Sequence, residues 1–242
     1  MTAQATPHIA KTNAEVSAIS REVRSRLRAL GVVHGAEIQF QATTPSGHVT
    51  DITFAAGDHI RFLTRNDALR VINGTTGTVV RVTEHTNQHG TTQRIVAEVE
   101  GRRIVFDPRD LADEKGRARL GWAYASTIYG CQGLTVDHAA VLLNPSFDRH
   151  DIYVAASRAR HSTALVSDKK AIDQHIQLTR SPAKNNFHAT LSEHERRAWL
   201  AERLARSNVK ESTLDVIELE QLSRATQLSR VREHALEAEL ER

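Results

Sequence analysis

The chain has 242 residues, of which 40% are hydrophobic and 25% charged. This composition is typical of a globular protein with one large domain or two small ones. Lys and Arg outnumber Asp and Glu by 32 to 29, which permits a nucleic-acid partner without requiring one. The single cysteine, Cys131, excludes an intrachain disulfide and a cysteine-based zinc site. Because the sequence has neither an apolar run near the ~20 residues of a membrane span nor a signal peptide, we expect a cytoplasmic protein that does not enter a membrane.

The first predicted element is a helix that begins after Thr12. Thr12 and Glu15 have the spacing of a capping box. Apolar residues then recur every three or four positions as far as Leu30, and Gly31 suits the position that follows a helix. Arginines lie mostly on the opposite face, which we interpret as a solvated basic face rather than a DNA-binding stripe.

Residues 37–110 change to the alternating pattern of β-strands. Short segments of this kind are separated by tight turns such as Asn73-Gly74 and Glu100-Gly101. A longer polar loop is expected from Glu84 to Thr92. Closely spaced strands of this kind predict a small antiparallel β-barrel.

After residue 110, buried strands alternate with helices. The apolar runs at 139–143 and 164–166 predict strands buried on both faces. The patterns at 148–160 and 171–178 predict helices. An alternation of this type is typical of a parallel α/β sheet.

The segment 181–242 is predicted to be a helical C-terminal extension. A loop-like stretch at 181–186 precedes it, and Thr190 and Glu193 have the spacing of a second capping box. Residues 214–240 contain neither Gly nor Pro and are rich in Leu, Glu, Arg and Ala. We interpret this stretch as an exposed helix that docks on the rest of the chain or on a partner, rather than as a coiled coil.

Two segments carry the pattern of functional motifs. Residues 122–137 have the sequence WAYASTIYGCQGLTVD, and residues 153–160 have the sequence YVAASRAR. A Gln-Gly or a Ser-Arg pair is common by itself. The order of the two segments, their separation and the buried strand between them make the combination specific.

Together these segments resemble motifs V and VI of superfamily 1 DNA helicases. They are most similar to the RecD-like helicase part of conjugative relaxases of the TraA/MobF type. Residues 132–137 match the Gln-Gly-x-Thr-Val-Asp end of that family's motif V, whereas Tyr129 and Gly130 stand where the family more often has His and Lys. Residues 153–160 match motif VI in full, and residues 10–14 are similar to motif IV.

The resemblance implies an α/β fold, namely the second RecA-like domain of a P-loop NTPase type of protein. Residues 1–36 and 111–180 would form this domain. The small antiparallel β-barrel of residues 37–110 would be inserted into it, and the helical C-terminal tail of residues 181–242 would follow.

The resemblance also implies roles for individual residues. Arg158 is expected to be the catalytic arginine that reaches the γ-phosphate of ATP, with Gln132 and Gly133 near the same phosphate. Ser126, Thr127 and Tyr129 are expected to face single-stranded DNA, although Tyr129 is equally compatible with a packing role. No metal-binding residues are expected in this chain.

The phosphate-binding loop Gly-x-x-x-x-Gly-Lys-Ser/Thr occurs nowhere in the sequence. We therefore expect a part of a conjugal-transfer relaxase-helicase that uses ATP and Mg²⁺ only with a first RecA-like domain and does not hydrolyse ATP by itself. The expected partners are single-stranded DNA, the N-terminal helicase and relaxase domains and, through the tail, other conjugation proteins. The alternative is a non-catalytic module that binds DNA or protein.

Overall fold

The computed structural model describes residues 7–44, 47–88, 90–179 and 191–207. Two compact units are distinguished along the chain, Met1–Arg206 and Ser207–Arg242, and the fold described below is that of the first. The predicted loop at 181–186, the predicted cap at Thr190 and the predicted helix at 214–240 lie outside the described residues.

Strands and helices alternate at both ends of the first unit, and strands alone fill its middle. The strands are β1 (His8–Ala10), β2 (His34–Thr43), β3 (Val49–Ala56), β4 (His59–Phe62), β5 (Thr76–Asn87), β6 (Gly90–Val99), β7 (Arg102–Phe106), β8 (Leu120–Trp122), β9 (Ala125–Thr127), β10 (Val136–Leu143) and β11 (Ala159–Ser167). The helices are α1 (Asn13–Ala29), α2 (Arg149–Ala156), α3 (Lys169–Thr179) and α4 (Glu193–Ala205).

Four strands form a parallel sheet in the order β11-β10-β1-β9. The predicted α/β character of the chain is therefore confirmed. The first helix is confirmed as well, because Thr12 and Glu15 form the reciprocal hydrogen bonds of a capping box at the start of α1. On one face of the sheet, Val141 and Phe147 pack into a core that Leu200 and Leu204 of α4 help to cover.

Two details of the predicted parallel sheet are wrong. The helix predicted over 148–160 ends at Ala156, because the chain from Ala159 onward pairs with β10 as strand β11. The run at 164–166 is not buried on both faces, since β11 is the edge strand and Leu165 and Val166 are each about half exposed.

The middle of the chain forms two antiparallel sheets, a two-stranded sheet β2-β3 and a five-stranded sheet β7-β6-β5-β4-β8. Side chains from both sheets share one core, which includes Phe54, Phe62 and Phe106. Strand pairing does not close these sheets into a barrel within the described residues. Strand β8, from the segment after residue 110, pairs with β4 and completes the larger sheet.

The hairpin turns lie where the sequence predicts them, with one exception. Glu100 and Gly101 both have positive φ, of 50° and 73°, and connect β6 to β7 in the tight turn that the sequence predicts. The polar loop expected from Glu84 to Thr92 is wrong, because residues 84–87 continue β5 and residues 90–92 begin β6, with which β5 pairs.

Helix α4 begins two residues later than the spacing of Thr190 and Glu193 predicts. Its N-cap is Ser192, whose side chain accepts a hydrogen bond from the backbone of Glu195 while the Glu195 carboxylate accepts one in return. Arg196 then forms an ion pair with Asp173 of α3, with a shortest N–O distance of 2.6 Å. This pair fixes α4 against α3.

A buried carboxylate joins the parallel and antiparallel parts. Asp58, which is fully buried, accepts hydrogen bonds from Arg24 of α1 at 2.9 Å, from the Tyr124 hydroxyl at 2.6 Å and from the backbone N–H of Ala55 at 2.7 Å. Burial opposes the charge of Arg24, but its hydrogen bonds to Asp58 and Glu37 raise its pKa. Burial and Asp58 both raise the pKa of Tyr124, so the phenol remains a donor.

Gly57 allows Asp58 to reach this position. Its φ is +89°, in the left-handed region, and a Cβ atom built on it would lie 2.0 Å from the carbonyl oxygen of Val32. Only a residue without a side chain permits such an approach between the β3–β4 turn and the segment after α1.

Asp58→Ala is expected to lower the free energy of unfolding by about 3–5 kcal/mol, because it leaves the buried Tyr124 hydroxyl and the Ala55 N–H without their acceptor and removes the main partner of Arg24. The matched control is Asp67→Ala, which removes an exposed ion pair with Arg65 and should change stability by about 0.5 kcal/mol or less. Urea denaturation followed by circular dichroism measures both. Equal stabilities of the two variants would contradict the role of Asp58.

Candidate functional site

The two motif segments contact each other at the start of strands β10 and β11, where Val136 pairs with Ala159. Strand β9 ends at Thr127, and residues Tyr129–Cys131 form a 3₁₀ turn, which we call the motif V turn. The backbone N–H of Ile128 donates to the carbonyl of Ala10 at the end of β1. The motif V turn is therefore attached to the strand that precedes α1.

The three residues predicted to face DNA differ in exposure. Ser126 is buried, with 8% of its surface exposed, and Thr127 is half-buried. The Thr127 hydroxyl accepts a hydrogen bond of 3.0 Å from the backbone N–H of Gly130. Tyr129 is 75% exposed, so its ring does not pack in the core and is available for stacking.

Arg61, which no sequence pattern singles out, is brought to the same turn by the fold. This β4 residue donates from Nη1 to the Ser126 hydroxyl at 3.0 Å and from Nη2 to the Gly130 carbonyl at 3.1 Å. Burial lowers its pKa. In the sequence, Arg61 occupies an ordinary polar position of an alternating strand, and its proximity to residues 126–130 arises only from the pairing of the sheets.

Gln132 and Gly133, predicted to lie near a nucleotide phosphate, follow the motif V turn and are exposed. The backbone N–H of Gln132 donates to the carbonyl of Tyr129. Gly133 has a φ of +80°, and no atom lies within 4 Å of the position that its Cβ would take. A ligand can therefore approach the backbone at this position closely.

Arg158 lies just beyond the end of α2 and is half-buried. Its Nε donates to the carbonyl of Val154 at 2.9 Å, and its Nη2 donates to the Ser157 hydroxyl at 2.9 Å. Among the described residues, its guanidinium forms no ion pair with a carboxylate. The acidic side chain of Asp151 is paired instead with Lys11, at 2.6 Å.

Backbone contacts bring Arg158 to the end of motif V. The carbonyl of Arg158 accepts a hydrogen bond of 3.0 Å from the N–H of Val136, the first residue of β10. Burial raises the pKa of the Cys131 thiol, while the charges of Arg158 and Arg61 oppose that shift. Arg61 thus contacts the motif V turn through the Gly130 carbonyl, and Arg158 contacts the end of motif V through its own carbonyl.

The described residues contain no group of three or more His, Cys, Asp or Glu side chains that could hold a metal ion. None of the helices within these residues is both long and apolar enough to span a membrane.

Fold and site together define an α/β protein whose parallel sheet includes parts of both motif segments, 122–137 and 153–160. In sequence, the chain is 30% identical over 199 residues to a probable conjugal transfer protein TraA from Sinorhizobium fredii. It is 32% identical over 205 residues to conjugal transfer protein TraA from Agrobacterium fabrum. Each match covers 81% of this chain and 16% of the relative. The predicted resemblance to the TraA type is confirmed, and the chain spans about a sixth of the length of these relatives.

Among solved structures, similarity is found to Pif1 helicases. A structure of two Pif1 helicases that unwind forked DNA matches with a TM-score of 0.49 and 23% identity, over 81% of this chain and 45% of that one. Bacteroides Pif1 in complex with ADP-AlF3 and single-stranded DNA matches with a TM-score of 0.49 and 22% identity, over 69% of this chain and 41% of that one. No family model matches the chain.

Arg158→Ala is expected to leave the melting temperature of the chain nearly unchanged, because the side chain donates only to neutral acceptors on its own helix end. Arg24→Ala should lower it by roughly 10 °C, since it leaves the buried Asp58 without its counter-charge. Thermal unfolding of the two variants, followed by circular dichroism, provides the comparison. A large loss of stability in Arg158→Ala would show that this arginine serves folding.

Proposed function

We propose that this chain is part of a TraA-type conjugative relaxase-helicase and contributes the second RecA-like domain of an ATP-dependent motor on single-stranded DNA. In this proposal the antiparallel sheets are an insertion in that domain. The site is completed by a first RecA-like domain, and the protein acts in the cytoplasm.

The main support is that Arg158 lies beside the start of β10, the strand to which Gln132 and Gly133 lead along the chain. A guanidinium that has no carboxylate partner among the described residues is suited to an external anion. We infer that Arg158 acts as the catalytic arginine by contacting the γ-phosphate of a nucleotide held mainly by the first domain. An arginine in this role contributes about 10³–10⁵ to the rate of phosphoryl transfer.

The residues of this chain can contact only one side of a bound nucleotide. Gly133 leaves open space for a phosphate, and Arg158 offers positive charge, whereas the sequence lacks the loop that would hold the β-phosphate and Mg²⁺. ATP, when bound with Mg²⁺ in the complete site, supplies the free energy for movement along the strand. The contribution of this chain is to orient and neutralise one side of that phosphate chain.

The motif V turn supports the DNA part of the proposal. Tyr129 offers an exposed ring on which a base can stack, and the half-buried Thr127 lies beside it. We infer that a single strand passes over this turn. We further propose that the C-terminal extension binds other conjugation proteins.

Tyr129→Ala is expected to weaken binding of single-stranded DNA by about 5-fold to 100-fold, the range for the loss of one base–aromatic stack. Tyr153→Ala is the matched control, because Tyr153 is also exposed, at 71%, but lies on α2. Fluorescence anisotropy with a labelled oligothymidylate measures the affinities. Affinity for the unmodified chain should also fall steeply with salt, because counterions are released from phosphates.

A preference for duplex DNA, or binding that does not change with salt, would argue against a strand path over the motif V turn. Equal loss of affinity in Tyr129→Ala and Tyr153→Ala would argue against stacking at Tyr129.

The proposed contact between Arg158 and a nucleotide leads to a separate prediction. The chain alone should show no ATP turnover, and turnover should appear when the remainder of a TraA-type protein is supplied by fusion or co-expression. In that complex, Arg158→Ala should reduce turnover by about 10³-fold or more. Arg149→Ala, which alters an exposed arginine at the start of α2 but outside the motif, should retain most of it. A steady-state ATPase assay compares them, and full activity of Arg158→Ala in the complex would exclude the catalytic role.

A further inference from the structure

The guanidinium of Arg61 forms no ion pair with a carboxylate among the described residues. Its two terminal nitrogens donate to the Ser126 hydroxyl and the Gly130 carbonyl, which are both neutral. Its Nε is buried and has no hydrogen-bond partner. In contrast, Arg24 and Arg196, whose side chains are each 11% exposed, form ion pairs with Asp58 and Asp173.

Burial of the Arg61 charge without a counter-charge opposes folding. An arginine remains charged in a protein, and burial lowers the pKa of Arg61, which expresses the penalty for removing that charge from water. Neutral acceptors recover only part of such a penalty, and an apolar residue of similar volume is often equally or more favourable for stability. Stability alone therefore does not account for a guanidinium at this position.

Arg61 is half-buried, so part of the residue remains at the surface. A Cβ built on Gly130 would lie 3.4 Å from Nη1 of Arg61 but only 2.6 Å from the Ser126 hydroxyl oxygen, and one built on Gly74 would lie 3.8 Å from Nη2. The guanidinium is therefore closely packed on the side of Gly130, where only a glycine fits. Each terminal nitrogen also carries a second N–H, for which the described residues offer no hydrogen bond.

We propose that Arg61 binds a phosphate of a single DNA strand at the motif V turn, so that the antiparallel part of the fold supplies a positive charge of the strand site. This inference depends on the proposed function, because it assumes that a strand passes over Tyr129. The guanidinium crosses from β4 to the motif V turn, and its remaining N–H groups can donate to phosphate oxygens. The hydrogen bonds to Ser126 and Gly130 then hold the guanidinium in position for the strand.

The test compares Arg61→Gln with Arg61→Lys in the full chain. Both replacements keep a hydrogen-bond donor for Ser126 and Gly130, so both variants are expected to fold, but only Lys keeps the charge. Binding of a fluorescein-labelled oligothymidylate is measured by anisotropy over a series of salt concentrations. The control is Arg103→Gln, which removes the same charge from an exposed position on β7, at the far edge of the five-stranded sheet.

Arg61→Gln is expected to weaken binding by about tenfold and to reduce the slope of log K against log salt by about 0.7, the value for one phosphate contact on a single strand. Arg61→Lys should keep the wild-type slope, and Arg103→Gln should leave both quantities nearly unchanged. Thermal unfolding should show Arg61→Gln to be at least as stable as Arg61→Lys.

Two results would overturn the inference alone. One is equal slopes for the Gln and Lys variants of Arg61 in a chain whose binding still depends on Tyr129. The other is an effect of Arg61→Gln no larger than that of Arg103→Gln. If the unmodified chain does not bind the oligothymidylate, the strand path itself fails, and the proposed function fails with it.

Discussion

The structure depends on the buried carboxylate of Asp58. It receives donors from α1, from the segment between β8 and β9, and from the end of β3, so three regions that are distant in sequence must meet at one point. A buried charge that lost its partners would destabilise the fold strongly, and this constraint holds the parallel and antiparallel parts together. Gly57 is also required for this arrangement, because it lets the β3–β4 turn approach the backbone of Val32.

The geometry of the candidate site depends on the hydrogen bonds that Asp58 accepts. Tyr124, which donates to Asp58, lies directly before β9, and β9 leads into the motif V turn. The same hydrogen bonds fix β4, which carries Arg61. The hydrogen bonds from Arg61 to Ser126 and Gly130 therefore span two sheets whose relative position Asp58 already determines. A site that lies on rigid strands and a short turn can hold its polar groups ready for a ligand.

Arginines have contrasting roles in this fold. Arg24 is fully compensated by Asp58 and Glu37 and contributes to stability. Arg61 donates to the motif V turn and Arg158 to the end of its own helix, and both donate only to neutral acceptors within the described residues. Arginines without a carboxylate partner are suited to external anionic ligands.

The sequence by itself determined the features that depend on neighbouring residues. The capping box of α1, the alternating strands and the Glu100-Gly101 turn follow from interactions within a few positions, and the motifs at 122–137 and 153–160 revealed the relationship to TraA proteins. Tertiary structure alone decided which strand is the edge of the parallel sheet, that the antiparallel sheets stay open, and that Asp58 and Arg61 become central. Arg61 and Ser126 are 65 positions apart, and Arg24 and Asp58 are 34 apart. No local pattern encodes such pairs, because their proximity results from the packing of whole sheets.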